Sequence, residues 1–179
     1  MTQQSIAPRT TTLRDGREVT LRPLAESDRD AMLAFGMNLP EDDRLYLELD
    51  FHNPNTIVRL VNASEAENWR QVVAVADEGI VGYGNVRMLV GWKRQVGDSH
   101  LVVSEGWRRS GLGTFLARTL LDAARELNAS KVIIEMIEEQ AEGRSIFEHL
   151  GFRLEGTLAN HVRDHAGELH NIVILGYQL

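Results

Sequence analysis

The sequence predicts an α/β domain with a mixed sheet, and three observations carry that prediction. Segments of strand and helix character follow in the order strand, one or two helices, a meander of strands, helix, strand, helix and final strands. One helix is strongly marked: Leu112, Phe115, Leu116, Thr119, Leu120, Ala123, Ala124 and Leu127 recur at three- and four-residue spacing and form one apolar face. The chain's 179 residues, 43% hydrophobic and 25% charged, suit one domain with one sizeable core.

Residues 1–12, rich in Thr, Gln and Ser, read as a flexible N-terminal segment, and 13–179 as the domain. Asp15-Gly16 is a turn before a strand at 18–22. Residues 28–39 read as a helix with Ala31, Met32, Phe35 and Leu39 on its apolar face and Pro40 ending it. A second helical or irregular segment covers 45–49, and Asn53-Pro54-Asn55 reads as a break. Strands at 72–76 and 80–89 are joined by Asp77-Glu78-Gly79, a hairpin turn. Residues 96–103 form the next strand. In the long helix that follows, Ser110 is the expected N-cap and Asn128 the expected stop. A strand at 131–136, a helix closing at 146–152, a turn at His165-Ala166-Gly167 and a final strand at 168–178 complete the chain. There is no internal repeat, low-complexity tract or second domain.

The segment from Val102 to Thr114 carries the functional information. It reads as an apolar strand, a basic glycine-containing turn and a helix. Gly111 and Gly113 let a ligand approach the backbone, since no Cβ stands in the way. The free N–H groups of the first helical turn, with the positive end of the helix dipole behind them, then face that ligand. Arg108 and Arg109 add charge, so the turn is suited to a diphosphate. Neither G-x-x-x-x-G-K-[ST] nor G-x-G-x-x-G is present; the pattern is R-x-x-G-x-G, from Arg108 to Gly113.

With its context, this segment resembles the acetyl-CoA-binding core of the GNAT superfamily of N-acetyltransferases, which uses an R/Q-x-x-G-x-G/A turn to wrap the pyrophosphate of coenzyme A. The resemblance continues through the strand Lys131-Val132-Ile133-Ile134-Glu135-Met136 to the ending Phe147-Glu148-His149-Leu150-Gly151-Phe152. Upstream, Leu21 to Asp28 is similar to the family's first strand and the start of its first helix. The resemblance implies a mostly antiparallel sheet flanked by helices, with central strands at 99–103 and 131–136 splayed apart to admit the pantetheine arm. It implies cofactor contacts from Val102, Val103, Arg108, Arg109, Ser110, Gly111, Leu112, Gly113 and Thr114, and an oxyanion-stabilising N–H at Val103. Gln140 aligns with a family asparagine that precedes the fourth helix. Phe147 aligns with a tyrosine that protonates the departing thiolate, and a phenylalanine has no proton to give.

Two residues are candidates for the base that deprotonates an amine. Asp98 resembles an acidic position of protein-lysine acetyltransferases and reads equally well as a turn residue. His100 lies two residues on, on the same strand face, with an intrinsic pKa suited to proton transfer near neutrality. Tyr46, Glu48 and Asp50 lie where the family roofs its acceptor site. His161, His165 and His170, at spacings of four and five with no cysteine, decorate a hairpin rather than form a metal motif, and no metal is expected.

The cysteine count of zero excludes disulfides, thiolate zinc sites and a cysteine nucleophile, so an acetyl group would move by direct attack. The net charge of −7 argues against nucleic acid as the main partner. No apolar run reaches membrane-span length, and the polar start lacks a signal-peptide core, which points to the cytoplasm. The expected activity is acetyl transfer from acetyl-CoA to a primary amine, either a protein lysine, as in the bacterial protein-lysine acetyltransferase branch, or a small amine. The alternative is a non-catalytic acyl-CoA sensor. A homodimer is compatible with either.

Overall fold

The computed structural model describes residues 6–41, 43 and 49–179. Eight strands form one sheet in the order β1-β2-β3-β4-β5-β6-β8-β7. The strands are β1 (Arg9–Thr12), β2 (Glu18–Pro23), β3 (Trp69–Ala76), β4 (Gly79–Met88), β5 (Val96–Val103), β6 (Lys131–Ile137), β7 (Arg153–Arg163) and β8 (Leu169–Gln178). Every pairing is antiparallel except β5 with β6. Helices α1 (Arg29–Asn38) and α2 (Pro54–Asn62) cover one face; α3 (Leu112–Glu126) and α4 (Ala141–His149) belong to the other. The expected α/β fold, mostly antiparallel and flanked by helices, is the observed one.

Strand alternation divides the core in two. Val72 and Ala74 of β3 join Leu112, Leu116 and Leu120 of α3, together with Phe147 and Phe152. Val73 of β3 and Tyr83 of β4 join Met32 and Phe35 of α1 and Ile57, Leu60 and Val61 of α2. The long helix lies close on β4 because that strand presents a glycine to it: a Cβ on Gly84 would stand 2.9 Å from Leu120 Cδ1.

Three local expectations change. Asn53-Pro54-Asn55 starts a helix instead of breaking the chain. The Asn53 side chain accepts from the Asn55 N–H at 2.9 Å, and Pro54 stands at the first helical position, where its missing N–H costs nothing. The expected N-cap Ser110 lies one residue early: the cap position is Gly111 at φ +92°, and Ser110 Oγ donates to the Trp107 carbonyl at 2.5 Å. Residues Arg9–Thr12 pair with β2, so the sheet begins four residues before the expected boundary at 13; a run of β-branched threonines favours the extended chain. Asn128 does stop α3. At φ +59° it permits Ala129 N–H to reach the Ala124 carbonyl and its own N–H to reach Arg125, the paired bonds of a Schellman motif. Among the described residues, no helix is long and apolar enough to cross a membrane.

The start of α1 is tied to β2 by a two-point ion pair. Arg22 donates from both terminal nitrogens to Asp28, at 2.7 and 2.8 Å, and the same carboxylate accepts the Ala25 N–H at 2.8 Å. These contacts, the Arg22 hydrogen bonds first, hold the Asp28 carboxyl below the usual carboxylate range. Asp28→Ala is expected to lower unfolding free energy by about 1–3 kcal/mol in urea denaturation at neutral pH. Because the folded pKa is depressed, the contribution is present above the unfolded carboxylate range. The gap between wild type and variant should therefore close as pH falls through the folded pKa.

Candidate active site

Strands β5 and β6 run as a ladder only from Val96–Lys131 to Asp98–Ile133. Beyond that, β5 stays with β4 as far as Val103, and β6 stays with β8 as far as Ile137, so a gap opens between the two central strands. The β4–β5 register fixes which backbone groups face it. Ser104 N–H bonds to the Val81 carbonyl, which makes the Gly82–Val103 pair a non-hydrogen-bonded one. Val103 and, two residues back, Leu101 therefore turn their main-chain N–H groups toward the gap. Val102, also expected to pair with the cofactor, has its backbone bonded to Tyr83 instead, and its side chain is buried. Leu101 is the functional candidate that sequence reading missed; strand alternation would have found it once the neighbours of β5 were known.

At the end of β5 the chain turns into α3. Trp107 is buried, its indole N–H donates to Glu78 at 2.6 Å, and the Arg17 guanidinium lies over its ring at 3.8 Å. Arg14 N–H bonds to the Ser110 carbonyl at 3.2 Å. The β1–β2 and β3–β4 hairpins thus clamp the turn. Gly111, left-handed at φ +92°, delivers the chain into the helix, and the N–H groups of Gly113 and Thr114 fall in the first turn, where no carbonyl lies one turn back. Leu112 is fully buried and anchors the helix.

Both arginines of the turn have carboxylate partners. Arg108 donates to the Val103 carbonyl at 3.3 Å and forms an ion pair with the buried Asp43. Arg109, at φ +58°, pairs with Glu142 of α4 at 2.7 Å, both side chains well exposed. Both charges are shared with carboxylates, so the anion-binding character of the turn lies chiefly in its backbone N–H groups and the helix terminus. Arg14 adds a cation beside the turn: its Nε lies 3.4 Å from where a Cβ on Gly111 would stand.

Gln140 stands at the N-terminal boundary of α4, directly after β6, with its N–H on the Ile137 carbonyl at 3.0 Å. Phe147 is buried in the core, its ring packed edge-on against Phe152 at 5.2 Å. It is a packing residue, and its position supplies no proton.

On the α1–α2 face, a cavity of about 480 Å³ opens over β4 and β5, and Asp98 and His100 both line it. Cross-strand rows build its floor. Trp69, Arg87 and Asp98 stand in one row; Gln71, Asn85 and His100 stand in the next. A buried chain of hydrogen bonds stiffens this floor: Asn85 donates to the Tyr83 hydroxyl at 3.3 Å, Tyr83 to Gln71 at 2.7 Å, and Gln71 to the Leu60 carbonyl of α2 at 2.8 Å. Burial pushes the Tyr83 phenol well above its ordinary pKa, so it remains protonated. From Asp98, Leu101 is about 10 Å along the strand and Val103 about 16 Å, at about 3.3 Å per residue. Of the two gap-facing N–H groups, that of Leu101 is the nearer to both candidate bases. Tyr46 and Glu48 lie outside the described residues.

The model of the acetyltransferase (GNAT) family matches residues 33–152. The chain belongs to this family. Among solved structures, the GNAT domain of PAT from S. lividans superposes with a TM-score of 0.81 at 14% identity, covering 96% of this chain and 97% of that one. The structure of yncA from Salmonella typhimurium with its cofactor acetyl-CoA gives 0.79 at 16%, covering 90% and 94%. A ribosomal-protein-S5-alanine acetyltransferase from Vibrio fischeri gives 0.78 at 14%, covering 89% and 92%. No curated protein matches by sequence. At these identities the likeness establishes a shared GNAT fold.

The three histidines of the last hairpin do not converge. His161 and His165 are exposed. His170 instead bonds through Nε2 to Asp164 at 2.9 Å and through Nδ1 to Glu139 at 3.3 Å, tying β8 to the connection before α4. Ligand atoms of Asp164, Glu168 and His170 lie within 4.8 Å of one another, and the hydrogen bonds to Asp164 and then Glu139 raise the His170 pKa.

Two outcomes follow from this geometry. A folded Gly113→Val variant should bind coenzyme A at least about tenfold more weakly by calorimetry, because a Cβ there stands 3.0 Å from Ile146 Cδ1 and the branched side chain must push α4 away from the turn that presents the N–H groups; an unchanged affinity would refute the assignment of the turn. His170 should titrate by NMR above its ordinary value of about 6.5 and move down in Asp164→Asn. With the folded pKa raised, its contribution to stability is full below the unfolded value and disappears as pH rises through the folded one.

Proposed function

We propose that the chain transfers an acetyl group from acetyl-CoA to a primary amine by direct attack. The observation that carries this reading is the course of one strand. The gap-facing main-chain groups of β5 lead straight to the N-terminus of α3, while two other side chains of the same strand, Asp98 and His100, line an adjoining cavity. Acetyl-CoA supplies the acetyl group and a thiol leaving group. The chain's residues hold it through the backbone N–H groups of the turn between Arg108 and Thr114, with Gln140 at the far side of the gap. Main-chain N–H groups of Leu101 and Val103 are oriented to receive a developing oxyanion, a stabilisation that grows only as charge develops. Asp98 or His100 takes the proton from the amine. The acceptor is the amine of a small molecule or of a protein lysine, and the setting is the cytoplasm, where acetyl-CoA is available.

Phe147 favours a second reading, an acyl-CoA sensor without turnover, because the aromatic residue at this point of α4 is buried and has no proton to donate. Thiol release from acetyl-CoA across a panel of amines separates the two: the enzyme releases thiol with some amine, whereas the sensor binds coenzyme A tightly and releases none. With an active amine in hand, Asp98→Asn should lower turnover by about a hundredfold with coenzyme A binding retained. Full rate in Asp98→Asn at every pH, with loss in His100→Ala, would assign the base to His100.

A further inference from the structure

Resting on the acetyl-transfer reading, we infer that the acceptor is an α-amino acid with an apolar side chain, its carboxylate bound by Arg87, Arg59 and the indole N–H of Trp69 and its amine directed toward Asp98. The register of the sheet carries the argument. Trp69, Arg87 and Asp98 occupy one cross-strand row on β3, β4 and β5, and all three line the cavity. Neighbouring strands lie about 4.8 Å apart, so a guanidinium and a carboxylate rise side by side from the cavity floor. An α-amino acid carries the complementary pair, a carboxylate and an amine joined through one carbon.

Among the described residues, the donors at this end have no acceptor partner. The chain has 26 acidic residues against 19 basic ones, so carboxylates are abundant. Arg22, Arg108, Arg109, Arg125 and Arg144 each hold one. Among the described residues, neither Arg59 nor Arg87 forms an ion pair, although both line the cavity, and Arg87 stands directly across from Asp98. Its guanidinium lies over the Trp69 ring at 5.1 Å, which orients it without consuming its charge. The Trp69 indole N–H is shut off from water and has no acceptor among the described residues. A buried donor left unmade is costly, and a ligand oxygen would satisfy it. Two guanidinium groups and an orphan indole donor around one cavity ask for an anionic group with two acceptor oxygens. The rest of the lining is mostly apolar, with Leu49, Phe51, Leu60, Met88 and Leu89 beside the polar Thr56 and Asn85, and the volume of about 480 Å³ suits a molecule of amino-acid size.

The test pairs each amino acid with its decarboxylated amine: phenylalanine with phenethylamine, leucine with 3-methylbutylamine, methionine with 3-(methylthio)propylamine. A lysine peptide blocked at its N-terminus is added, and thiol release from acetyl-CoA is followed. The expected result is kcat/KM about tenfold to hundredfold higher for the amino acid of each pair, as charge-assisted hydrogen bonds to a carboxylate provide. Arg87→Gln, Arg59→Gln and Trp69→Phe should each shrink that ratio through KM, with circular dichroism confirming the fold; Trp69→Phe removes the donor while keeping an aromatic, though smaller, ring under Arg87. Equal rates within each pair, or acetylation of the blocked peptide alone, would overturn the inference. Calorimetry of phenylalanine into protein saturated with coenzyme A gives a readout independent of turnover. Binding that Arg87→Gln weakens supports the inference even when no thiol is released, an outcome that would count only against the enzymatic reading. Tight coenzyme A binding with no amino acid binding would overturn the inference and leave that reading standing.

Discussion

The separation of β5 from β6 is the constraint on which the rest of the molecule depends. A buried strand edge leaves a row of N–H and C=O groups that must find partners. Here β4 satisfies one edge of β5 and β8 satisfies one edge of β6, along their whole lengths. The facing edges meet for only three residue pairs, from Val96–Lys131 to Asp98–Ile133. An extended ligand arm is the natural complement to such a gap, since it can take the place of the missing strand.

The gap has value only if the turn after β5 is held still, and the contacts there come from distant parts of the chain. Trp107 ties the turn to the β3–β4 hairpin through Glu78 and to the β1–β2 region through Arg17, while Arg14 reaches the Ser110 carbonyl. Arg108 faces back into the protein, toward Asp43 and the Val103 carbonyl. A motif arginine with the look of a phosphate ligand is therefore spent on fixing the geometry of the strand end. The backbone is left to meet the anion, which suits a glycine-bearing turn.

The cavity follows the same logic on the side-chain faces of the strands. Tyr83, Gln71 and the Leu60 carbonyl form a buried polar chain that joins β4, β3 and α2. Satisfied networks of this kind hold a floor rigid, because breaking any member leaves a buried group without a partner. The chain underlies the adjacent rows of the sheet that carry Arg87, Asp98 and His100.

The sequence by itself determined the class of fold, the long helix and its Asn128 stop, the basic glycine turn and the family resemblance. These are local properties: periodicity, turn chemistry and motif order are written within a few residues. It also put Asp98 and His100 on one face, since alternation needs no tertiary knowledge. Tertiary structure decided what depends on neighbours. Whether Asn53-Pro54 breaks a chain or caps a helix depends on whether Ile57, Leu60 and Val61 find a core to enter, and they do. Which of Leu101, Val102 and Val103 offers its backbone to the gap depends on the register with β4, which no stretch of β5 alone encodes. Whether Arg108 serves a ligand depends on Asp43, 65 residues away in sequence. The row of Trp69, Arg87 and Asp98 exists only because three strands pair in one register, so the chemistry most specific to this chain comes from long-range pairing that local patterns do not record.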